Sequence, residues 1–167
     1  IYLGGVWYPD KTRVGWWKNG YPEYFGKVIN AVDFTKVDIK LNGSSVDLAK
    51  DEFSDFELAL DMKKGILNRS FIVTKDGQKF RLNFERFVSV AQKELYASKI
   101  TIENLNDTEA DVEIRSYIDA DVFNEDANYD EKFWNVLAQN VAETHMSLTA
   151  QTIPNNFGTP QFTTEML

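Results

Sequence analysis

The chain of 167 residues contains no cysteine and one histidine. Without cysteine there are no disulfides, no thiolate nucleophile and no cysteine-ligated zinc or iron–sulfur site. The lone His145 rules out paired-histidine metal sites, and a Ser-His-Asp triad would have to be built on it alone. It lies in Glu143-Thr-His-Met-Ser-Leu148, a period-two run in which a polar strand position accounts for it. No Gly-rich phosphate loop follows a strand, and no apolar run reaches the roughly 18 residues that a membrane helix needs. The start lacks the basic-then-apolar order of a signal peptide, although a chain that opens at Ile1 rather than Met is expected to be trimmed. A reducing cytoplasm fits the missing cysteine. The glycosylation-type triplets at Asn42, Asn68 and Asn106 are read as coincidences of a composition rich in asparagine.

A basic stripe is also missing. The net charge is -8, and residues 103 to 131 hold eleven Asp or Glu against the single Arg115, so this stretch carries -10 and the remainder about +2. Nucleic acid and anionic membrane surfaces are excluded as partners, because Lys and Arg supply most of the affinity for phosphate. The acidic block reads as a solvated edge. Calcium is the sharper alternative for Asp119, Asp121, Asn124, Glu125, Asp126, Asn128 and Asp130, since hard cations take several such oxygens. The EF-hand register fails, with Tyr129 at the turn-glycine position and Asn135 at the bidentate-Glu position, so no metal is expected.

What the chain does have is an ordinary soluble composition, 43% hydrophobic and 26% charged, and a length suited to one domain. From residue 37 onward period-two runs dominate. Phe56, Leu58, Leu60 and Met62 alternate with polar neighbours, as do Leu67, Arg69, Phe71 and Val73, then Phe80, Leu82 and Phe84. Asp76-Gly77 between the last two runs predicts a tight hairpin. A second hairpin is predicted between 96–102 and 112–118, and a shorter third between 37–41 and 46–48 across Asn42-Gly43. One helix is expected over 129–141, where Phe133, Trp134, Val136, Leu137, Asn140 and Val141 could share a face, followed by a last strand over 143–151. The segment from Pro154 to Pro160 reads as a loop leaving the domain. Together these runs predict a mainly β, antiparallel sandwich.

Two further features invite a functional reading. Glu85 and Arg86 are adjacent on one strand and so point to opposite faces, which fits structural pairing with neighbouring strands. The first 34 residues gather nine of the 23 aromatics and three of the four tryptophans among glycines and prolines. This segment has no helical period and reads as an irregular or short-stranded lead-in. Trp7, Tyr8, Trp16, Trp17, Tyr21 and Tyr24 are the candidate site: flat rings stack on the CH faces of sugars, or they cover a sheet edge or fill an interface. Lys11, Arg13 and Lys18 beside them could hold a carboxylate or a phosphate.

Five blocks in order along the chain carry a family resemblance: Tyr2-Leu-Gly-Gly-Val-Trp-Tyr-Pro-Asp10, Trp16-Trp-Lys-Asn-Gly-Tyr-Pro22, Met62-Lys-Lys-Gly-Ile-Leu-Asn-Arg69, Phe84-Glu-Arg-Phe-Val-Ser-Val90 and Asp119-Ala-Asp-Val-Phe-Asn124. They resemble the N-terminal domain of glycoside hydrolase family 65, the maltose, trehalose and kojibiose phosphorylases, and most closely its maltose-cleaving members. The resemblance implies a large β-sandwich like that of galactose mutarotase, of which 167 residues would be an incomplete part, followed by a helical barrel with the active site. It also implies an inverting phosphorolysis of maltose to β-glucose 1-phosphate and glucose, with inorganic phosphate as co-substrate and no other cofactor.

Such a reaction needs one raised-pKa carboxylic acid and groups to hold phosphate. The family keeps both in the barrel, so no catalytic residue is expected here. The implied role is to brace the barrel and contribute to a homodimer. The alternative is a carbohydrate-binding module whose aromatic segment contacts gluco-oligosaccharide. A mutarotase-like enzyme is disfavoured by the single histidine.

Overall fold

The computed structural model describes residues 1–11, 20, 22–124 and 131–167. Strands and their turns make up the regular structure of the described residues. They are β1 (Trp7–Lys11), β2 (Tyr24–Val28), β3 (Asp33–Leu41), β4 (Ser44–Ser45), β5 (Phe53–Asp61), β6 (Ile66–Lys75), β7 (Gln78–Val88), β8 (Tyr96–Asn104), β9 (Val112–Asp119), β10 (Trp134–Val141), β11 (Met146–Thr152) and β12 (Thr163–Met166). The antiparallel β class expected from the alternation is the one found. The sheets run in the orders β1-β2, β4-β3-β9, β5-β6-β7-β8 and β10-β11-β12. The chain divides into two compact units, Ile1–Val37 with Ser116–Leu167, and Asp38–Arg115.

The second unit is built on the meander β5 to β8. Asp76 and Gly77 take the positive φ of 50° and 80° that the tight β6–β7 turn demands. Register across the sheet is continuous: Leu58 faces Arg69, Arg69 faces Phe84, and Phe84 faces Ile100. Because directly opposed residues share a face, this row and its neighbours two residues away define one apolar face. At one end of that face Phe71, Val73, Phe80 and Leu82 are buried. The opposite face is polar and carries the ion pairs Arg81–Glu103 and Lys99–Glu85, each at 3.4 Å. The short hairpin of β3 and β4 turns on Asn42 and Gly43, both at positive φ, as expected, but its second limb is Ser44–Ser45 and not 46–48.

The first unit closes around Ile29, Val32, Phe133, Trp134, Leu148 and Ala150. Its polar centre is a pair of asparagines. Asn30 donates from its backbone N–H to the Asn124 side-chain oxygen at 2.7 Å and from its side chain to the Phe123 carbonyl at 2.6 Å. The Asn124 side chain donates to the Val28 carbonyl at 2.9 Å, and the Trp134 indole N–H donates to the Asn30 carbonyl at 2.7 Å. Chain segments with no ladder between them are thereby joined, and the backbone groups of Val28, Asn30 and Phe123 named here each find a side-chain partner.

Four expectations are corrected. The helix predicted over 129–141 is absent where the structure describes it: Trp134–Val141 is β10, paired with β11. A bulge between Val136 and Ala138 inserts Leu137 into the ladder, and the resulting adjacent apolar pair imitates a helical face. The predicted hairpin of β8 with β9 does not form, since β8 pairs with β7 while β9 lies beside β3. The connection is instead tied down by Asn106, which accepts from the Lys79 N–H at 3.1 Å and donates to its carbonyl at 2.9 Å, and by Asn42 accepting from the Asp111 N–H at 3.0 Å. The last-strand prediction starts too early, because Glu143 to His145 form the β10–β11 connection, closed by a bond from the Ala142 N–H to the His145 carbonyl at 2.8 Å. Finally, the loop from Pro154 does not leave the domain. Asn155 accepts from the N–H groups of Phe157 at 3.0 Å and Thr159 at 3.4 Å, turning the chain back so that β12 pairs with β11.

Candidate functional site

The aromatic lead-in becomes the two-stranded sheet β1-β2 as far as it is described. Trp16, Trp17 and Tyr21 lie outside the described residues, as do Arg13 and Lys18. Trp7, Tyr8 and Tyr24 are brought together, but onto two faces. Tyr8 opposes Lys27 in the register, and Trp7 opposes Val28. Since adjacent strand residues alternate, Tyr8 and Lys27 face one way and Trp7 and Tyr24 the other.

On the first face the Tyr8 ring packs 4.9 Å from Phe133 and its hydroxyl donates to the Pro154 carbonyl at 3.0 Å. Burial pushes the phenol above its ordinary value, and the carboxylates of Glu131 and Asp10 push it further, so Tyr8 serves as a neutral donor. Lys27 is buried, with Nζ 2.9 Å from Asp10, 3.6 Å from Glu131 and 5.0 Å from the centre of the Phe133 ring. The two carboxylates and the ring face offset the cost of burying this side chain.

On the other face Trp7 lies parallel to Tyr24, with centroids 6.5 Å apart and planes 4° apart, and meets Phe162 edge-on at 6.1 Å. Gly26 sits between them on β2, and a Cβ there would come within 3.4 Å of the indole. Tyr24 in turn packs 4.9 Å from Phe157, the residue that the Asn155 turn presents. Each described ring of the candidate site is therefore committed to another ring of the same unit. Packing between aromatic rings accounts for these contacts.

The acidic residues are likewise engaged. Asp119 pairs with Lys36 at 2.5 Å and accepts from the Asp121 N–H at 2.8 Å. The hydrogen bond from Lys36 holds the Asp119 carboxyl below its usual range, and the same bond raises the Lys36 amine. Asp121 pairs with Lys132, and Asn124 is spent on the asparagine clamp. Glu125, Asp126, Asn128 and Asp130, the rest of the calcium set, lie outside the described residues. Glu85 pairs across the strands with Lys99 on the polar face, while Arg86 points to the apolar face.

Sequence reasoning missed Arg69. It stands on the apolar face between Phe71 and Phe84, with its guanidinium 5.8 Å and 4.5 Å from the two ring centres. Its Nε is buried without a hydrogen-bond partner. The signal was available: Arg69 occupies an inward position of an otherwise apolar alternation.

These features define the class as an antiparallel β domain. Comparison with known proteins narrows it. Residues 1–165 match the glycosyl hydrolase family 65 N-terminal domain, and the chain belongs to that family. It is 48% identical to maltose phosphorylase of Bacillus subtilis (strain 168) over 162 residues, which is 97% of this chain and 21% of that protein. Kojibiose phosphorylase of Thermoanaerobacter brockii is 30% identical over 99 residues, 59% of this chain and 13% of that protein. A solved structure from the human microbiome, assigned as a kojibiose phosphorylase, shares the fold with a TM-score of 0.76 at 20% identity, over 91% of this chain and 20% of that one. The chain thus spans about a fifth or less of the length of these relatives.

Proposed function

We propose that the chain is a non-catalytic N-terminal β-sandwich portion of a disaccharide phosphorylase that converts maltose and inorganic phosphate to β-glucose 1-phosphate and glucose with inversion. The observation that carries this reading is 48% identity to a maltose phosphorylase over 97% of the chain. The engagement of Trp7, Tyr8 and Tyr24 with Phe133, Phe157 and Phe162 supports a structural role for the lead-in. In the parent this portion braces a catalytic helical barrel and contributes to a cytoplasmic homodimer. The acid that protonates the leaving oxygen and the groups that hold phosphate belong to that barrel, and no cofactor beyond phosphate takes part.

The test is phosphate-dependent release of glucose and β-glucose 1-phosphate from maltose, trehalose and kojibiose, measured for the parent and for this chain side by side. An active parent on maltose and an inert chain are expected. Turnover by the chain itself would overturn the assignment. Replacing Trp16 and Trp17 together by Ala separates bracing from sugar binding: the binding reading requires weaker affinity for gluco-oligosaccharide, whereas bracing changes only stability or dimerisation.

A further inference from the structure

In the second unit the β3–β4 turn at Asn42-Gly43, the start of β7 and the segment between β8 and β9 are laced together by carboxamide side chains. Asn42 is the knot. Its backbone N–H donates to the Asp111 carbonyl at 2.9 Å, its side-chain oxygen accepts from the Asp111 N–H at 3.0 Å, and its side-chain amide donates to the Gln78 side-chain oxygen at 2.8 Å. Gln78 is held in its turn by donating to the Thr108 hydroxyl at 2.8 Å. On the far side of Gly43 the Ser44 hydroxyl donates to Asp76 at 3.0 Å. The Asn42 carboxamide is therefore fixed at both its oxygen and its nitrogen.

The residue that follows gives this restraint a chemical consequence. Glycine has no Cβ to shield its peptide nitrogen, so an Asn-Gly pair is open to ring closure. The Gly43 nitrogen, once it has given its proton to hydroxide, can attack the Asn42 Cγ. The new N–C bond expels the side-chain nitrogen as ammonia and leaves a five-membered succinimide. Water then opens either ring carbonyl, giving aspartate or, where the main chain is rerouted through the side chain, isoaspartate. One water enters and one ammonia leaves. Gly43 is exposed, and a Cβ built on it would meet nothing within 4 Å, so the turn stands open to solvent.

We propose that Asn42 is a latent deamidation site, kept intact by the bonds from its side chain to Asp111 and Gln78. Ring closure needs Cγ to swing onto the Gly43 nitrogen, and these two bonds hold it back. The products differ in what they leave standing. An aspartate at 42 keeps the acceptor for the Asp111 N–H, and a half-turn of the Gln78 carboxamide supplies a donor where the amide was lost. An isoaspartate adds a methylene to the main chain between Leu41 and Ser44, which face each other across the turn, and the clamp fails.

The test ages the full-length parent in mildly alkaline heavy-oxygen water, then digests it and weighs the peptide that holds Asn42. Deamidation through the ring is read as a mass gain that includes one solvent oxygen, and an isoaspartyl methyltransferase labels the isoaspartate share. Gln78→Ala removes one of the two side-chain bonds and is expected to speed the reaction about fivefold. With both bonds gone, the same protein unfolded in urea is expected to react about tenfold or more faster than the folded wild type. Lys75→Met is the matched control, since it removes the ion pair with Asp51 at 2.5 Å in the same unit and leaves the clamp untouched. Its rate is expected to equal that of the wild type. A Gln78→Ala rate no higher than the wild type would overturn the proposal, as would a folded rate equal to the unfolded one. Acceleration by Lys75→Met to the same degree as Gln78→Ala would overturn it too, because protection would then belong to folding as a whole rather than to the clamp.

Discussion

The two units solve the same problem, covering one side of a sheet, by different means. In the first, polar groups do the fastening: Asn30 and Asn124 join segments 94 residues apart, Tyr8 reaches Pro154, and Lys27 reaches Asp10. In the second, a ladder of register pairs broken by one bulge between Ser54 and Glu57 makes a sheet with one apolar and one polar face; on the apolar one β6 and β7 bury Phe71, Val73, Phe80 and Leu82 while the edge strand β5 leaves Phe53, Phe56, Leu58 and Leu60 exposed. The contrast shows that alternation specifies which face is apolar but not what covers it. Cover comes from long-range contacts that a period-two pattern does not encode.

The largest expected effect breaks this comparison most directly. Phe80 is fully buried, so Phe80→Ala should cost about 3–5 kcal/mol through lost transfer energy and the cavity left behind. Leu58 shares its face but is 56% exposed, and Leu58→Ala in this chain should cost roughly 1 kcal/mol or less. Urea unfolding followed by far-ultraviolet circular dichroism measures both. Equal costs would mean that Leu58 is covered in the chain as it stands, and the gradient of burial would be wrong.

Asn124→Ala probes the polar fastening. It removes the acceptor of the Asn30 N–H and the donor to the Val28 carbonyl at a site only 7% exposed, leaving two backbone groups unsatisfied. A loss of about 2–4 kcal/mol is expected. All four tryptophans lie outside Asp38–Arg115, so fluorescence reports the first unit while circular dichroism also sees the second. The fluorescence transition should move to lower urea more than the dichroism one. Transitions that move together would show the two units to unfold as one, and the contrast would be structural without being energetic.

The legible parts of the fold were those with local causes. Asp76-Gly77 and Asn42-Gly43 were readable as turns because both require positive φ, which few residues supply cheaply. The β5 to β7 runs were readable because nothing interrupts their register apart from the Ser54/Glu57 irregularity at one end. The strand β10 was misread because one inserted residue turns a period of two into an apparent period near 3.6. The partner of β9 was misread because adjacency in sequence favours a hairpin, and only the tethering of Asn106 to Lys79 and Asp111 to Asn42 reveals the crossing. Of the candidate site, the rings were legible as a cluster, but their commitment to Phe133, Phe157 and Phe162 was not, since those partners lie more than a hundred residues away. Arg69 was passed over as one more inward position of an alternating run.

The smallest expected effect sharpens the comparison by pH. The Lys36–Asp119 pair belongs to the first unit, with 40% and 20% of the side chains exposed, so solvent screening limits it to about 1 kcal/mol at most. Lys36 lowers the Asp119 pKa, so the carboxylate's contribution is complete above its unfolded value near 4 and is lost as pH falls through the lower folded value. The Lys36 amine is raised by the same bond, so its contribution is complete below roughly 10.4 and is lost as pH rises through the raised value. The stability gap between the wild type and Lys36→Met should therefore be flat between about pH 5 and 10 and close at both ends. The Phe80→Ala gap, which involves no charge, should not change with pH. A Lys36→Met gap that survives in strong acid would assign the effect to the side chain's stem beside the Tyr117 ring, 6.0 Å from the ammonium, rather than to charge. The fastening of the first unit would then be less polar than its hydrogen bonds suggest, and the two units more alike.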